Sequence, residues 1–358
     1  MWAKTTKHIV WPILSIIVFL IILESGLRLT GVDPHPRGYD FTVNRAWDFP
    51  EVFLKDKELF WRLRPGQTIT SEFFEGKTYR INRQGFRGID FSAGDGEFRI
   101  AVLGNSCAFG WGVTEEGSFA NRLRSLMVRE RIPRTAVYNF SVPGYSTFQG
   151  VRNFQRFVRP YKPNVLLVTF AWNDQWLAAN NRPDKEIIMP PRTLINLQNL
   201  LSTFRFYRVF KQGIFSILPS PQRTWKDNVL SRVSLEDFKR NLGEIIAAAD
   251  EDNTRVVLLT SPIPSMESYY GLSKQSPLHV LHQDYNDAIR LTAATFSIGL
   301  VDLAAIFDRR SDLFDDVKRD PFHYNARGHA LAAEEIFRFL QSQGYLPAPL
   351  KSSGDGGK

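Results

Sequence analysis

The chain has 358 residues, of which 43% are hydrophobic and 13% aromatic. That is enough apolar material to bury a large core, so an intrinsically disordered protein is excluded. The net charge of +8 comes from 45 basic and 37 acidic residues without long like-charge runs. This predicts a solvated basic surface, or attraction to an anionic membrane or polymer, and no nucleic-acid partner, since no nucleic-acid motif is recognised.

The N-terminus carries an apolar run that extends from Ile9 to Leu23, after Lys4 and Lys7. Fifteen residues rise only about 22 Å as a helix, so the length alone fits a signal peptide or an anchor. No small-residue cleavage site follows, and we therefore predict an uncleaved anchor over residues 1–31. A cleaved signal peptide and a buried core helix are the alternatives. Because positive charges stay in the cytoplasm, the rest of the chain is expected to face outward.

Residues 32–97 are rich in glycine, proline, arginine and aromatic residues, with short alternating stretches. The pattern predicts a small β-rich accessory region of strands and turns. Its GFRG sequence, at residues 85–88, is expected to form a turn that docks onto the main domain.

From Phe98 the pattern changes to strands that alternate with helices, which predicts an α/β domain over residues 98–345. The expected fold is a three-layer, doubly wound α/β sandwich with a parallel sheet. Ligands bind beyond the carboxyl ends of the strands in such sheets. The predicted strands cover 98–104, 136–142, 164–172, 255–262 and 299–307, and the predicted helices cover 118–132, 147–158, 234–252, 278–296 and 326–344.

A helical insertion is predicted at about 175–233, and a flexible tail without function at 346–358. Within the insertion, Leu194, Leu197, Leu201, Phe204 and Arg208 form one stripe. Core packing or a lid over the site is one interpretation of this stripe. A helix that rests on the membrane surface is the other.

Three polar side chains supply the parts of a nucleophilic site. Ser106 follows the first strand and is expected to attack an acyl carbon, with His323 as the general base. Asp320, three residues before His323, is expected to orient the imidazole from the same loop. No metal site and no cofactor site are predicted.

The developing oxyanion needs hydrogen-bond donors, and two further strand ends provide them. Gly144 offers a backbone N–H with no side chain in the way, and Asn173 offers an uncharged amide. The backbone N–H of Ser106 is the third expected donor. We predict that Ser106, Gly144 and Asn173 together form the oxyanion hole.

Four segments, around Ser106, Gly144, Asn173 and Asp320–His323, resemble the motif blocks of the SGNH, or GDSL, hydrolase family. They occur in the family order, and the resemblance covers about Phe98 to Leu340. The resemblance implies a flavodoxin-like α/β/α sandwich and hydrolysis or transfer of ester-linked acyl groups without metal or cofactor. The order of membrane segment, accessory region and hydrolase domain is similar to bacterial membrane-anchored members linked to cell-surface polysaccharides. This implies a single-pass protein of the bacterial inner membrane with a periplasmic catalytic domain.

Two positions depart from the family pattern. Asn105 replaces the aspartate of the G-D-S block, and Ala171 replaces the glycine of the G-x-N-D block. We expect altered activity from the first, and a tighter pocket or a tilted Asn173 from the second. Asp174 is expected to brace its loop, and Cys107 to be a buried cysteine rather than a nucleophile.

The sequence thus predicts a serine esterase or acyltransferase that acts on acyl groups, such as acetyl, of a cell-surface polysaccharide or glycoconjugate. A lysophospholipase or thioesterase that acts on lipid esters is an alternative. A protein that retains the fold but only binds or assembles polysaccharide is another.

Overall fold

The computed structural model describes residues 2–32, 46–92, 94, 96–178, 181–217, 230–264, 277–317 and 320–350. Two compact units divide the chain, Met1–Trp61 with Met189–Trp225 and Arg62–Ile188 with Lys226–Lys358. Parts of the predicted accessory region, insertion and tail, at 33–45, 218–229 and 351–358, lie outside the described residues. The predicted domain boundaries stay predictions.

A five-stranded parallel sheet is the centre of the second unit, and it confirms the predicted fold class. Its strands are β5 (Phe98–Gly104), β6 (Thr135–Asn139), β7 (Val165–Thr169), β8 (Arg255–Leu259) and β9 (Gly299–Val301). The strand order is β6-β5-β7-β8-β9, which is the flavodoxin-like order in which the chain switches direction between β5 and β7. A ligand site is therefore expected beyond the ends of those two strands.

The apolar sequence of the central strands explains their position. All five residues of β7 are buried, as expected for a parallel strand that is covered on both faces. The predicted last strand, 299–307, is wrong in length, since β9 ends at Val301. The Asp302 carboxylate accepts a hydrogen bond from the Ala305 N–H and starts a short helix there.

Helices cover both faces of the sheet. They are α2 (Ser106–Phe109), α3 (Phe119–Arg129), α4 (Thr147–Asn153), α5 (Trp172–Gln175), α8 (Leu235–Glu251), α9 (Pro277–Thr295), α10 (Leu303–Ile306) and α11 (Ala326–Ser342). One face packs with Phe119, Leu123, Ile336 and Leu340 of α3 and α11 in a single apolar cluster. On the other face, α4, α8 and α9 contact β5 and β8.

Among the described residues, three two-stranded pairs lie outside this sheet. Their strands are β1 (Phe53–Asp56), β2 (Phe60–Leu63), β3 (Gln67–Thr70), β4 (Thr78–Ile81), β10 (Phe314–Asp316) and β11 (Asp320–Tyr324). The accessory region supplies β1 with β2 and β3 with β4, and β10 with β11 follows the sheet along the chain. The pairs β3 with β4 and β10 with β11 are antiparallel.

The first unit contains the N-terminal helix α1 (Trp2–Leu29) and two helices from the insertion, α6 (Arg192–Leu201) and α7 (Arg205–Ile217). Within α1, the 20 residues Val10–Leu29 are long and apolar enough to cross a membrane, as an anchor or as a signal sequence. The predicted stripe of the insertion is thus divided between two helices, because the chain leaves the helix between Leu201 and Arg205.

His329 generates a pH-dependent stability in the second unit. The ring is fully buried, and its Nδ1 accepts a hydrogen bond from the Phe119 N–H at 3.3 Å. Burial, with the nearby positive charges of Arg87, His323 and Arg122, lowers the pKa of His329 to about 3. The unfolded chain takes up the proton at about pH 6.5, so protonation favours unfolding below that pH.

We predict that the free energy of unfolding falls by about 1.4 kcal/mol per pH unit below pH 6.5 through this group. The His329→Gln variant cannot take up this proton and is the reference. Denaturant unfolding of both proteins between about pH 6.5 and 4 measures the difference. Parallel pH curves for the two proteins would contradict the prediction.

Candidate active site

His323 lies between Ser106 and Asp320 in a continuous hydrogen-bonded chain. The His323 Nε2 is 2.8 Å from the Ser106 Oγ, and the His323 Nδ1 is 2.7 Å from the Asp320 Oδ2. A carboxylate at Nδ1 fixes the proton there and leaves Nε2 as the acceptor for the serine proton. The structure therefore brings together the three predicted catalytic side chains, which are 217 residues apart at their extremes.

The strand β11 holds the base and its orienting acid as one unit. Asp320 begins β11, and its Oδ1 accepts hydrogen bonds from the N–H groups of Phe322 and His323, each at 3.2 Å. Burial would raise the pKa of Asp320, but the His323 charge and these hydrogen bonds together lower it. The carboxyl group is therefore ionised at neutral pH and can stabilise an imidazolium.

Ser106 is the first residue of α2, directly after β5. Asn105 precedes the helix, and its Oδ1 accepts a hydrogen bond from the Cys107 N–H at 3.0 Å. This cap needs only a side-chain oxygen, which asparagine and aspartate both have. The asparagine at this position therefore retains the local fold that presents Ser106.

The end of α2 is held by a buried guanidinium from the GFRG turn. Arg87 donates to the carbonyl groups of Phe109, Gly110 and Val113 at 2.5 to 2.9 Å. A Cβ atom on Gly110 would lie 2.7 Å from the Arg87 Nη1, so the close approach requires glycine. The predicted docking of GFRG onto the main domain is thus carried by Arg87, whose role the sequence did not indicate.

The expected oxyanion donors lie at the ends of neighbouring strands. Gly144 has a φ of +82°, which glycine adopts without strain. Asn173, at 6% exposure, donates one amide hydrogen to the Tyr145 carbonyl at 3.0 Å. Within the described residues, no protein acceptor is bound by the second amide hydrogen of Asn173 or by the N–H groups of Ser106 and Gly144. These three donors are available to a ligand.

Comparison with known proteins gives one family. The model of the GDSL-like Lipase/Acylhydrolase family matches residues 102–331, which is more than half of the chain. The chain belongs to the GDSL-like Lipase/Acylhydrolase family. Membership supports an esterase or acylhydrolase activity. No curated protein matches the sequence.

Solved structures similar to the chain include three enzymes. A lipase/acylhydrolase from Enterococcus faecalis is 16% identical, with a TM-score of 0.47, and the match covers 71% of this chain and 100% of that chain. The esterase EstA from Pseudoalteromonas sp. is 13% identical, with a TM-score of 0.45, and the match covers 69% of this chain and 98% of that chain. A mutant of Axe2, an acetyl-xylooligosaccharide esterase from Geobacillus Stearmophilus, is 14% identical, with a TM-score of 0.45. That match covers 72% of this chain and 98% of that chain. The family assignment depends on the family model rather than on these similarities.

Ala171, which stands in place of the usual family glycine, has a strained backbone. Its φ is +110°, a region that residues with a Cβ atom rarely adopt. The fully buried Asp174 holds this loop, since its carboxylate accepts from the Ala171 N–H at 3.2 Å and from the Thr147 N–H at 2.7 Å. Burial raises the pKa of Asp174 to about 7, although these hydrogen bonds act to lower it. Asp174 braces the loop that carries Asn173.

A buried ion pair, which the sequence did not indicate, holds the Gly144 loop from behind. Arg232 makes two hydrogen bonds to the Asp184 carboxylate, at 2.9 and 3.1 Å, and both side chains are at most 3% exposed. Arg232 also donates to the Gly144 carbonyl at 2.8 Å and to the Gln149 Oε1 at 3.0 Å. Ser146 donates to Asp184 at 2.6 Å. The pair therefore fixes the peptide that follows Gly144, and with it the backbone of the Gly144 loop.

Cys107 and two tryptophans near the catalytic motifs are enclosed. Cys107 is buried beside the Phe322 carbonyl, and burial raises the pKa of its thiol, so it does not form a thiolate nucleophile at neutral pH. Trp111 stacks on His323, and Trp172 stacks on His282, with exposures of 4% and 8%. Among the described residues, no group of three or more His, Cys, Asp or Glu could hold a metal ion.

Replacement of Ala171 by glycine is expected to stabilise the protein by about 1 kcal/mol. Relief of a positive φ offsets the larger entropy of glycine in the unfolded chain. The control is Ala332→Gly in the interior of α11, where the same change is expected to cost about 1–2 kcal/mol, because the helix loses alanine and the core loses a buried methyl group. Denaturant unfolding measures both variants, and destabilisation of similar size in the two would contradict the strain.

Replacement of Asp184 by asparagine leaves the Arg232 guanidinium buried without a carboxylate. We predict a loss of about 3–5 kcal/mol in the free energy of unfolding, because a buried charge is left unpaired. The exposed pair of Arg129 and Glu130 is the control, and Glu130→Gln should change stability little. Equal, small effects at both positions would show that the buried pair does not support the Gly144 loop.

Proposed function

We propose that the chain is a serine esterase or acyltransferase that acts on ester-linked acyl groups through an acyl-enzyme. The observation that carries the proposal is the hydrogen-bonded chain from Ser106 through His323 to Asp320, with distances of 2.8 and 2.7 Å. The family supports the esterase or acylhydrolase class. The position of the site, at the sheet edge between β5 and β7, also supports it.

In the first half of the reaction, the Ser106 Oγ attacks the ester carbonyl carbon while its proton passes to the His323 Nε2. The carbonyl oxygen becomes an oxyanion and accepts hydrogen bonds from the Ser106 N–H, the Gly144 N–H and the Asn173 amide. Asp320 stabilises the imidazolium. The intermediate collapses, the bond to the alcohol oxygen breaks, and the alcohol leaves with the proton of His323.

In the second half, water or a sugar hydroxyl attacks the acyl carbon of the ester on Ser106. His323 takes the proton of the attacking group and returns it to the Ser106 Oγ when the second intermediate collapses. Water gives a carboxylic acid, and a sugar hydroxyl gives a new ester. Esterase and transferase thus share these residues and differ in the acceptor.

We further propose that the acyl groups, such as acetyl, belong to a cell-surface polysaccharide or glycoconjugate. The similarity of the segment order to membrane-anchored bacterial members supports this substrate class. The proposed location is the bacterial inner membrane, with α1 as a single-pass anchor and the catalytic unit in the periplasm. The positive residues before the apolar segment support that orientation.

We predict that Ser106→Ala abolishes labelling by a fluorophosphonate probe and lowers kcat for an aryl acetate by at least about 10⁴-fold. The reason is that, among the described side chains, only the Ser106 hydroxyl donates a hydrogen bond to the His323 Nε2. The neighbouring Cys107→Ala variant is the matched control and should keep both the label and the activity. Absence of labelling in the intact folded protein would favour a binding protein that retains the fold.

The substrate class has its own test. Acyl release from a panel of O-acetylated oligosaccharides is compared with release from lysophospholipids and long-chain thioesters. Faster turnover of the acetylated sugars is expected. Preference for the lipid esters would replace the polysaccharide assignment with a lipid-directed hydrolase, while leaving the Ser106 mechanism intact.

A further inference from the structure

The two insertion helices of the first unit present an apolar surface that nothing in the described chain covers. Its residues have exposures of 38% to 67%. On α6 they recur every three residues, and on α7 they lie on one side of the helix. Exposed apolar side chains that share a helix face, rather than being scattered singly, indicate an interaction surface. We call it the apolar platform, formed by Leu194, Leu197, Leu200, Val209, Phe210 and Ile214.

The other faces of both helices already pack within the first unit. On α6, Ile195 is 2% exposed, and Asn199 exchanges two hydrogen bonds with the backbone of Lys55 at 2.8 and 3.0 Å. On α7, Lys211 forms an ion pair with Asp48 at 2.9 Å. The orientation of the helices is therefore fixed by polar and apolar contacts on their inner faces, and the platform faces away from them.

Helix α7, which carries part of the platform, begins beside the end of the apolar helix α1. The Glu24 carboxylate of α1 accepts a hydrogen bond from the Phe206 N–H at 3.2 Å. Arg205 donates to the Leu27 carbonyl at 3.0 Å. The first turn of α7 is thus bonded to the last turns of α1. Removal of α1 by cleavage would remove these partners of α7, so the contacts favour retention of α1 as an anchor.

Charge complementarity selects the same partner. The segment 192–217 contains four basic residues, Arg192, Arg205, Arg208 and Lys211, and no acidic residue. Acidic residues from outside the segment pair with two of them, Glu58 with Arg192 at 3.5 Å and Asp48 with Lys211 at 2.9 Å. A polybasic segment beside an apolar surface is attracted to anionic lipid headgroups while its apolar side chains enter the upper hydrocarbon region. A charged segment that binds another protein need not lie beside an apolar helix, whereas α7 is bonded to the end of α1.

We propose that the apolar platform is a membrane-interface element that lies in the leaflet into which the end of α1 emerges. It rests on the proposed role of α1 as an anchor. In this arrangement α1 fixes the chain to the bilayer, and α6 and α7 fix the orientation of the first unit on its surface. The insertion then acts as a membrane contact rather than as core packing or a lid.

The test places single cysteines on the full-length chain in vesicles of phosphatidylethanolamine and phosphatidylglycerol. Leu197→Cys and Phe210→Cys report on the platform, and the exposed Asn196→Cys and Gln212→Cys are matched controls on the same helices. Phe19→Cys, in the middle of the apolar span, reports on the anchor. The buried native Cys107 gives the background, measured on the chain without an added cysteine. Each cysteine carries a polarity-sensitive fluorophore.

Quenching by nitroxide on the lipid acyl chain should be several-fold stronger at residues 197 and 210 than at residues 196 and 212. Quenching by aqueous iodide should show the reverse order. Strong lipid quenching at residue 19 with equal, weak lipid quenching at the other four positions would overturn the platform and keep the anchor. Weak lipid quenching at residue 19 as well would overturn both. Shielding of residues 197 and 210 from both quenchers would indicate a protein partner and also overturn the proposal.

None of these outcomes depends on catalysis. The probe positions are far along the sequence from Ser106, His323 and Asp320, and the readout is fluorescence rather than turnover. An inactive protein with a lipid-quenched platform would refute the proposed reaction and keep the membrane contact. An active protein without lipid quenching would do the opposite.

Discussion

The hydrogen bond between the Ser106 Oγ and the His323 Nε2, at 2.8 Å, is the constraint on which the rest of the active unit depends. A serine hydroxyl is a weak nucleophile until a base takes its proton, so the two atoms must meet within hydrogen-bond distance. One of them follows the first strand of the sheet, and the other lies on a separate hairpin near the end of the chain. The parallel sheet, the hairpin of β10 and β11, and helix α11 together hold this single contact.

The structure supports this contact by means of buried polar groups. Arg87 holds the end of the nucleophile helix, and Asp174 holds the loop that carries Asn173. The Arg232 and Asp184 pair holds the Gly144 loop. Each is costly to bury, and its hydrogen bonds to the backbone or to a charged partner offset that cost. The strained backbone of Ala171 belongs to the same arrangement, because stored strain persists only where the surroundings determine the conformation.

The sequence predicts the sheet and the candidate catalytic residues for a clear physical reason. Buried parallel strands are continuous apolar runs, and parallel strands bring their carboxyl ends to one edge, so Ser106, Gly144 and Asn173 can be placed together in advance. The spacing of Asp320 and His323 is local and is therefore also visible. The pair of Arg232 and Asp184 is not, because its partners are 48 residues apart and no periodicity links them. The predicted strand 299–307 is longer than β9, because a short apolar run does not distinguish a strand from a buried helix.

The central claim is that Ser106 forms a covalent acyl-enzyme with His323 as its base. The most direct measurement mixes the full-length protein with an aryl acetate, quenches the reaction in acid within its first turnovers and maps the acetyl group by peptide mass spectrometry. Our account predicts an acetyl group on Ser106 in the native protein and its loss in His323→Ala. Hydrolysis of the ester without any acetyl group on Ser106 would contradict it. Formation of the Ser106 adduct at the same rate in His323→Ala would also contradict it.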